Sequence, residues 1–248
     1  MVQSVDRALK ILDLLKDREE GLGITEISHQ MGIAKSTAHR LITTLEHHHY
    51  VKKTSENGVY SLGLKFIEMT QHVLETMDIV TIARPLLQKL TKETREISHL
   101  CMLDGDELVY IDKVESQSTI RIYSQTGRRA PMYCTGVGKV LLSYFPEHKL
   151  AKYLQSTELT AFTENTLTTP EEIKQELAAT RAQGYAKDEE EHELGIRCVA
   201  APVFNHLGEV PYAISVTGPT TRMTDERMKE IIPQVMHTAN EVSRNIGY

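Results

Sequence analysis

The sequence predicts an α+β chain: a winged helix-turn-helix, then a linker helix, then a ligand-binding domain on a mostly antiparallel sheet. Three observations carry this. Between Ile24 and Ser61 two short helices, a tight turn and a hairpin follow one another closely. An apolar stripe with no evident core of its own begins at Leu64. Beyond it, helical and strand patterns alternate in the order helix, sheet, helices, sheet, helix, which suits an antiparallel sheet with helices packed on it. The expected boundaries are residues 1–63, 64–77 and 78–248.

The first helix is expected from about Val5 to Leu15, its apolar stripe formed by Val5, Ala8, Leu9, Leu12 and Leu15. Thr25 is expected to cap the next, whose apolar positions are Ile27 and Met31. Gly32 permits the reversal, and a helix from about Lys35 buries Ala38, Leu41, Ile42 and Leu45, the i, i+3, i+4, i+7 face. Its other side carries Lys35, Ser36, Thr37, His39, Arg40, Thr43 and Thr44. Short hydroxyls and cations allow close approach to phosphates and base edges, where an ordinary surface helix would carry Glu/Lys pairs. The hairpin, turning at Asn57-Gly58, adds Lys52 and Lys53.

Charge supports the same partner. From Ile33 to Lys53 four cations (Lys35, Arg40, Lys52, Lys53) face Glu46 alone, a local charge of +3 in a chain whose net charge is −6. Such focusing attracts a polyanion to one region and not to the whole surface. The expected DNA-binding set is Thr25, Lys35, Ser36, Thr37, His39, Arg40, Thr43, Lys52 and Lys53. A helical subdomain with an incidental hairpin would show the same elements but not this focusing.

The bulk composition excludes other classes. No run of about 18 apolar residues exists to span a bilayer, and the polar N-terminal segment does not read as a secretory signal. Three widely spaced cysteines, Cys101, Cys134 and Cys198, form neither a disulfide framework nor a zinc site and fit a reducing cytoplasm. The stripe Leu64, Ile67, Gln71 and Leu74 reads as a linker helix pairing with a second chain, or as a helix lying on its own domain.

In the larger part, Asp78 could cap a helix bearing Ile79, Ile82, Leu86, Leu87 and Leu90, with a kink or break expected at Pro85. Strands are expected over Ile97–Leu103, Leu108–Val114, Thr119–Tyr123, Ile196–Phe204 and Val210–Val216. Thr135-Gly-Val-Gly-Lys139 opens a helix through Phe145. Thr169-Pro170 with Glu172 is a capping box, and the helix it starts ends at Gly184. A last helix runs from Thr224 to Ile246.

The chemistry-bearing motifs are few. Thr135-Gly-Val-Gly-Lys139 lacks the glycine at Tyr133 and the hydroxyl at Val140 of a Walker loop, and the small residue at Leu141 of a dinucleotide fingerprint. Two readings stay open: bare N–H groups at a helix start that hold a small anion, or glycines that allow tight helix-on-sheet packing. Asp188, His192 and Cys198 suggest a cysteine hydrolase only weakly, because a mid-strand cysteine is usually a small buried hydrophobe. His47-His48-His49 is a solvated helix end and not a metal tract, since consecutive helical side chains diverge. The acidic run Asp188–Glu191 is expected as a solvated loop from which one carboxylate could turn inward.

With these residues laid out, the chain resembles the IclR family of bacterial transcription regulators over essentially its whole length. The resemblance rests on Gly184-Tyr-Ala-Lys-Asp188-Glu-Glu-Glu191, Cys198-Val-Ala200 and Val203-Phe-Asn205, which reproduce the family's spacing of Gly, Asp, Glu and Cys. Ser4-Val-Asp-Arg-Ala-Leu-Lys-Ile-Leu12, Ser36-Thr-Ala-His-Arg-Leu41 and Ser215-Val-Thr-Gly-Pro219 add to it. It implies a GAF-like effector domain after the winged helix, homodimers that pair into tetramers on operator DNA, and no metal or cofactor. By the same resemblance a small effector sits at Gly136 and Val137, near Asp188, Ile196 and Cys198 and under Ser215 and Thr217, with Ile122 and Met132 as apolar wall. Thr217 stands where members often have Ser, which keeps the donor and narrows the pocket. Family effectors are small organic acids, among them keto, aromatic and sugar acids. The implied function is an effector-responsive repressor of a catabolic operon; the competing reading is a small-molecule enzyme using Cys198 or Asp188 with an appended DNA-binding module.

Overall fold

A computed structural model of the chain describes residues 2–54, 58–75, 78–116 and 124–248. The chain divides into two compact units, Met1–Met77 and Asp78–Tyr248.

The first unit contains α1 (Gln3–Lys16), β1 (Leu22–Gly23), α2 (Ile24–Gln30), α3 (Lys35–His47), β2 (Val51–Thr54), β3 (Val59–Leu62) and α4 (Lys65–Glu75). Ile11, Leu15, Leu22, Ile27, Ala38, Ile42, Leu45, Val51 and Tyr60 form its core. Gly32, at φ 61°, makes the turn between α2 and α3. The hairpin β2–β3 pairs Val51 with Leu62 and Thr54 with Val59, and β1 adds a third antiparallel strand on the other side of β3. Asn57 lies outside the described residues; Gly58, at φ 66°, supplies the left-handed conformation of the turn.

Two expectations for this unit fail. Thr25 does not cap α2 but lies inside it, exposed. Gly23 occupies the cap position, and its N–H is taken by the Glu26 carboxylate at 2.8 Å. In α1, Val5 and Leu9 do not face the core: they are 54% and 56% exposed, while Ile11 and Leu15 are buried. The helix carries two apolar stripes, Ala8–Ile11–Leu12–Leu15 and Val2–Val5–Leu9. Both have helical spacing, and periodicity alone does not say which one meets α3 and β3.

The second unit contains α5 (Asp78–Thr94), β4 (Ile97–Asp104), β5 (Glu107–Val114), β6 (Arg129–Ala130), α6 (Gly136–Ser143), α7 (Glu147–Ser156), α8 (Pro170–Gln183), β7 (Ala186–Glu189), β8 (Ile196–Val203), β9 (Tyr212–Pro219) and α9 (Asp225–Asn245). The strands form one antiparallel sheet in the order β6-β5-β4-β9-β8-β7. Side chains alternate across it. On β8, Cys198 and Ala200 face α6, close to Gly136. Val199, Ala201 and Val203 therefore face the other side, where α9 packs on β8 and α5 on β4. Helices on both faces explain why the central strands are apolar with little alternation.

Helix α5 runs unbroken through Pro85. Pro85 and Thr81, whose carbonyl loses its partner, are both exposed, so water can satisfy it. Helix α6 stops at Ser143, short of Phe145, and α7 and β7 are elements the sequence reading missed. The capping box expected at α8 forms in half: Thr169 Oγ1 accepts the Glu172 N–H at 3.3 Å, but the Glu172 carboxylate takes the Thr169 hydroxyl at 2.6 Å in place of its backbone N–H, and Gly184 closes the helix at φ 78°. The strand expected over Thr119–Tyr123, with Ile122, lies outside the described residues.

Candidate functional site

Two surfaces carry the functional candidates, one in each unit. In the first, α3 exposes Lys35, Ser36, His39, Arg40, Thr43 and Thr44, with Thr37 half-buried, and β2 exposes Lys52 and Lys53. Thr43 Oγ1 lies 3.4 Å from His39 Nδ1, and Thr44 Oγ1 donates to the Arg40 carbonyl at 3.0 Å. Ala34 holds the cap position of α3 and offers no side-chain acceptor. The first N–H groups of the helix therefore point outward without a side-chain cap, an arrangement suited to phosphate. Thr25 is exposed on α2.

In the second unit, a cavity of about 240 Å³ opens between the start of α6 and the sheet. Of the sequence-expected ligand residues, Gly136, Val137, Asp188, Ile196, Cys198, Ser215 and Thr217 all line it. Met132 does not. It is 1% exposed, packed in the core, and its backbone lies under Gly138.

The two open readings of the glycine motif divide between its two glycines. A Cβ on Gly138 would meet the Met132 backbone at 2.3 Å, so that residue serves packing. At Gly136 a Cβ would come 3.1 Å from Cys198 Sγ at the cavity wall, so its absence keeps the helix start open. Thr135 caps α6, accepting the Gly138 N–H at 3.2 Å and donating to the Pro131 carbonyl at 2.8 Å.

The acidic run is not a solvated loop. Asp188 is 6% and Glu191 5% exposed. Glu191 accepts from Lys139 Nζ of α6 at 2.5 Å, and Glu176 of α8 takes the same amine at 3.1 Å. Thr166 Oγ1 donates to the Glu191 carbonyl at 2.6 Å, and Thr163 Oγ1 to the Glu190 carbonyl at 2.7 Å, pinning the turn. Asp188 Oδ1 accepts the Glu191 N–H at 2.8 Å. Burial pushes the Asp188 carboxyl up to about 7 against the pull of that hydrogen bond.

Sequence reasoning missed His99, Tyr110, Ser124, Arg128 and Phe162 and considered His192 only as a catalytic base; all six line the cavity. His99, 2% exposed, lies between two hydroxyls, with Nε2 2.7 Å from Ser124 Oγ and Nδ1 3.3 Å from Ser215 Oγ. Burial and the nearby Lys113 lower its pKa to about 3, so the ring is neutral. Two polar residues, Ser98 and His99, inside the apolar run Ile97–Cys101 were the available signal. At the mouth, Phe162 packs against His192 with ring centroids 5.2 Å apart. Cys198 and His192 share the cavity, but burial raises the thiol to about 12, which keeps it protonated and a poor nucleophile.

Both units match a family of known proteins. Residues 4–55 match the model of the IclR helix-turn-helix domain, and residues 71–244 that of the bacterial transcriptional regulator IclR C-terminal region. The chain belongs to the IclR family. It is 42% identical to the HTH-type transcriptional regulator XynR of Escherichia coli over 100% of this chain and 98% of that one. With the transcriptional repressor IclR of the same organism it shares 35% identity over 99% of this chain and 90% of that one. The crystal structure of Thermotoga maritima IclR superposes with a TM-score of 0.82 and 35% identity, covering 100% of both chains. As an IclR-family protein it is a DNA-binding transcriptional regulator with a helix-turn-helix unit and a C-terminal α+β unit. Among the described residues no helix is long and apolar enough to cross a membrane.

Two predictions follow from this geometry. Arg40→Ala should weaken operator binding by roughly 1–3 kcal/mol with an unchanged melting temperature. Lys52→Ala should weaken all duplexes alike and flatten the salt dependence. Titrations at several salt concentrations check both, and unchanged binding by the pair of variants would remove this face from the DNA contact.

The second concerns Asp188. Folded, it holds its proton up to about pH 7; unfolded, it releases it near its ordinary value of 3.8. Its contribution to stability therefore falls as pH rises between those values. His99 acts in the opposite sense, because the unfolded chain binds its proton below about 6.5 and the folded chain does not. Wild type should therefore vary little in this window. Asp188→Asn should gain on wild type by roughly 2 kcal/mol from pH 5 to pH 7 in urea denaturation. A pH-independent difference would contradict the buried, protonated carboxyl.

Proposed function

We propose that the cavity holds a small organic acid whose binding controls operator affinity, and that the chain works as a homodimeric repressor of a catabolic operon. The observation that carries this reading is the open start of α6. The Gly136 and Val137 N–H groups stand at the positive end of a helix on a cavity that is buried in its depth and open at its rim, next to a carboxyl that is ready to be protonated. A bound carboxylate takes those N–H groups. Asp188, Ser215 and Thr217 orient its other polar groups, and the Arg128 side chain stands at the rim. Asp188 stays protonated beside such a ligand, since two carboxylates in one cavity do not both ionise. The protonated Cys198 supports a binding role for the cavity over catalysis.

A repressor role agrees with the name of the relative that is called a transcriptional repressor. A dimer agrees with the start of α4, where Leu64, just before the helix, and Ile67 within it are 70% and 68% exposed. Two copies place two α3 helices on one near-palindromic site. The ligand acts on DNA only through a difference in affinity between two arrangements of that dimer, and we assign the coupling to residues 64–77 between the units.

Leu64→Glu with Ile67→Glu should lower the dimer fraction in sedimentation and weaken operator binding; a double variant that stays dimeric would move the interface elsewhere. Ser215→Ala should blunt the response to an acid effector and leave ligand-free operator affinity nearly unchanged, read by DNA titration with and without effector. Loss of DNA binding with retained ligand binding would make Ser215 a structural residue and refute the pocket assignment.

A further inference from the structure

Three consecutive histidines close α3, and the expected DNA-binding set includes none of them. All three are exposed, and among the described residues no group of three or more His, Cys, Asp and Glu side chains is placed to hold a metal ion. Two of them carry the chain out of the helix. His48 holds the cap position and donates its N–H to the Thr44 carbonyl at 3.2 Å. His49, at φ 62°, turns the backbone toward β2 and donates its N–H to the Glu46 carbonyl at 2.9 Å. His47 is the last helical residue. The His48 ring packs on its ring edge to face, with centroids 5.0 Å apart, which restrains the direction of the His47 imidazole.

The core of the first unit fixes which way His47 faces. Ala38, Ile42 and Leu45 form the buried side of α3. At the helical period the positions opposite them are Ser36, Arg40, Thr43 and His47, an i, i+4, i+7, i+11 line. All four are exposed, and each side chain has a hydrogen-bond donor. Glu46, the one acid between Ile33 and Lys53, lies off this line and is half-buried. Thr44 also lies beside it, with its hydroxyl given to the Arg40 carbonyl at 3.0 Å. The outward line is therefore all donors and carries no acid.

Length separates the two ends of that line. From Ser36 to His47 the helix rises about 16 Å at 1.5 Å per residue. The major groove of B-DNA is about 12 Å wide and winds around the duplex, so a straight helix cannot keep both ends over base edges. Helix-turn-helix proteins set the N-terminal part of the second helix on the bases. Ser36 to Thr43 covers about 10 Å, or roughly three base-pair steps. His47 lies one turn further, at the rim where the phosphates run. A phosphate accepts hydrogen bonds, and an imidazole has an N–H to give.

We propose that His47 contacts a DNA phosphate at the edge of each half-site, while direct reading of bases by α3 ends at Thr43 after about four base pairs. His47 is then a positioning residue: it sets how α3 lies in the groove and adds affinity without adding sequence preference.

The test uses the full-length protein, a duplex that it selects from a randomised library, and a scrambled duplex. Two maps are measured on the selected duplex: affinity after each single base-pair change, and interference by ethylation of each phosphate. His47→Ala should weaken both duplexes alike, by roughly 3- to 10-fold, the worth of one hydrogen bond, with an unchanged melting temperature. Its base-preference map should match that of the wild type. One phosphate at each half-site edge, sensitive to ethylation in the wild type, should cease to be so. His47→Lys, which keeps a donor, should restore both the affinity and that sensitivity. Arg40→Ala should instead flatten the preference at one base pair by at least ~10-fold. An altered base preference in His47→Ala would overturn the phosphate assignment and put His47 on the bases. Weaker binding with an unaltered ethylation map would overturn it too, because the effect would then be indirect. Full affinity for both duplexes would remove His47 from the interface. If Arg40→Ala also binds both duplexes as the wild type does, α3 is not the DNA-facing helix and the proposal falls with it.

Discussion

The buried amine of Lys139 holds the second unit together behind its cavity. One side chain, 1% exposed, joins α6, α8 and the turn after β7 through Glu176 and Glu191. Removing the Lys139 and Glu191 charges from water is costly, and their pairing, with the part-exposed Glu176 as a second partner for the amine, offsets that cost. Here the threonines of the preceding loop take the carbonyls of the same turn, so the backbone around Glu191 is fixed as firmly as its side chain. The position of Asp188 follows, because its carboxyl accepts the Glu191 N–H. The first turn of α6, from which Lys139 projects, also supplies the open N–H groups of the cavity. Charge pairing behind the cavity thus shapes the front of it.

The cavity is otherwise kept electrically quiet in its depth. His99 is neutral, Cys198 and Tyr110 hold their protons, and Asp188 sits near its titration point. The described cations, Arg128 and Arg129, are exposed at the edge. Arg129 is paired there with Asp104 and Glu107, and Glu193 is exposed on the same lining, so charge at the edge is mixed while the depth presents neutral hydrogen-bonding groups.

Much of this was legible in the residues, for reasons that differ by region. Helix α3 carries a single apolar face, so its exposed side follows from counting. The helix begun at Thr169 has a local signal at each end, a capping box and a left-handed glycine. By contrast, the burial of Glu191 depends on a lysine 52 positions earlier in the chain. No local rule says which of four consecutive acidic residues, Asp188–Glu191, turn inward, and only Asp188 and Glu191 do. His99 was hidden for a similar reason: its partners Ser124 and Ser215 lie 25 and 116 residues away. In α1 the difficulty was ambiguity, since two apolar stripes of equal spacing compete and only the packed fold chooses. The glycines of the α6 motif had two readings because they have two jobs.

The six-stranded sheet ends in β6 and β7, of two and four residues. An open strand edge is a template on which another chain can add. At β7 the edge is short and carries Lys187 and Glu189, the latter tied to Arg197. At β6 Arg129 is engaged by Asp104 and Glu107. Both borders thus offer strapped charges in place of a long, flat, apolar ribbon. A second copy of the chain therefore finds little bare backbone at either border on which to extend the sheet.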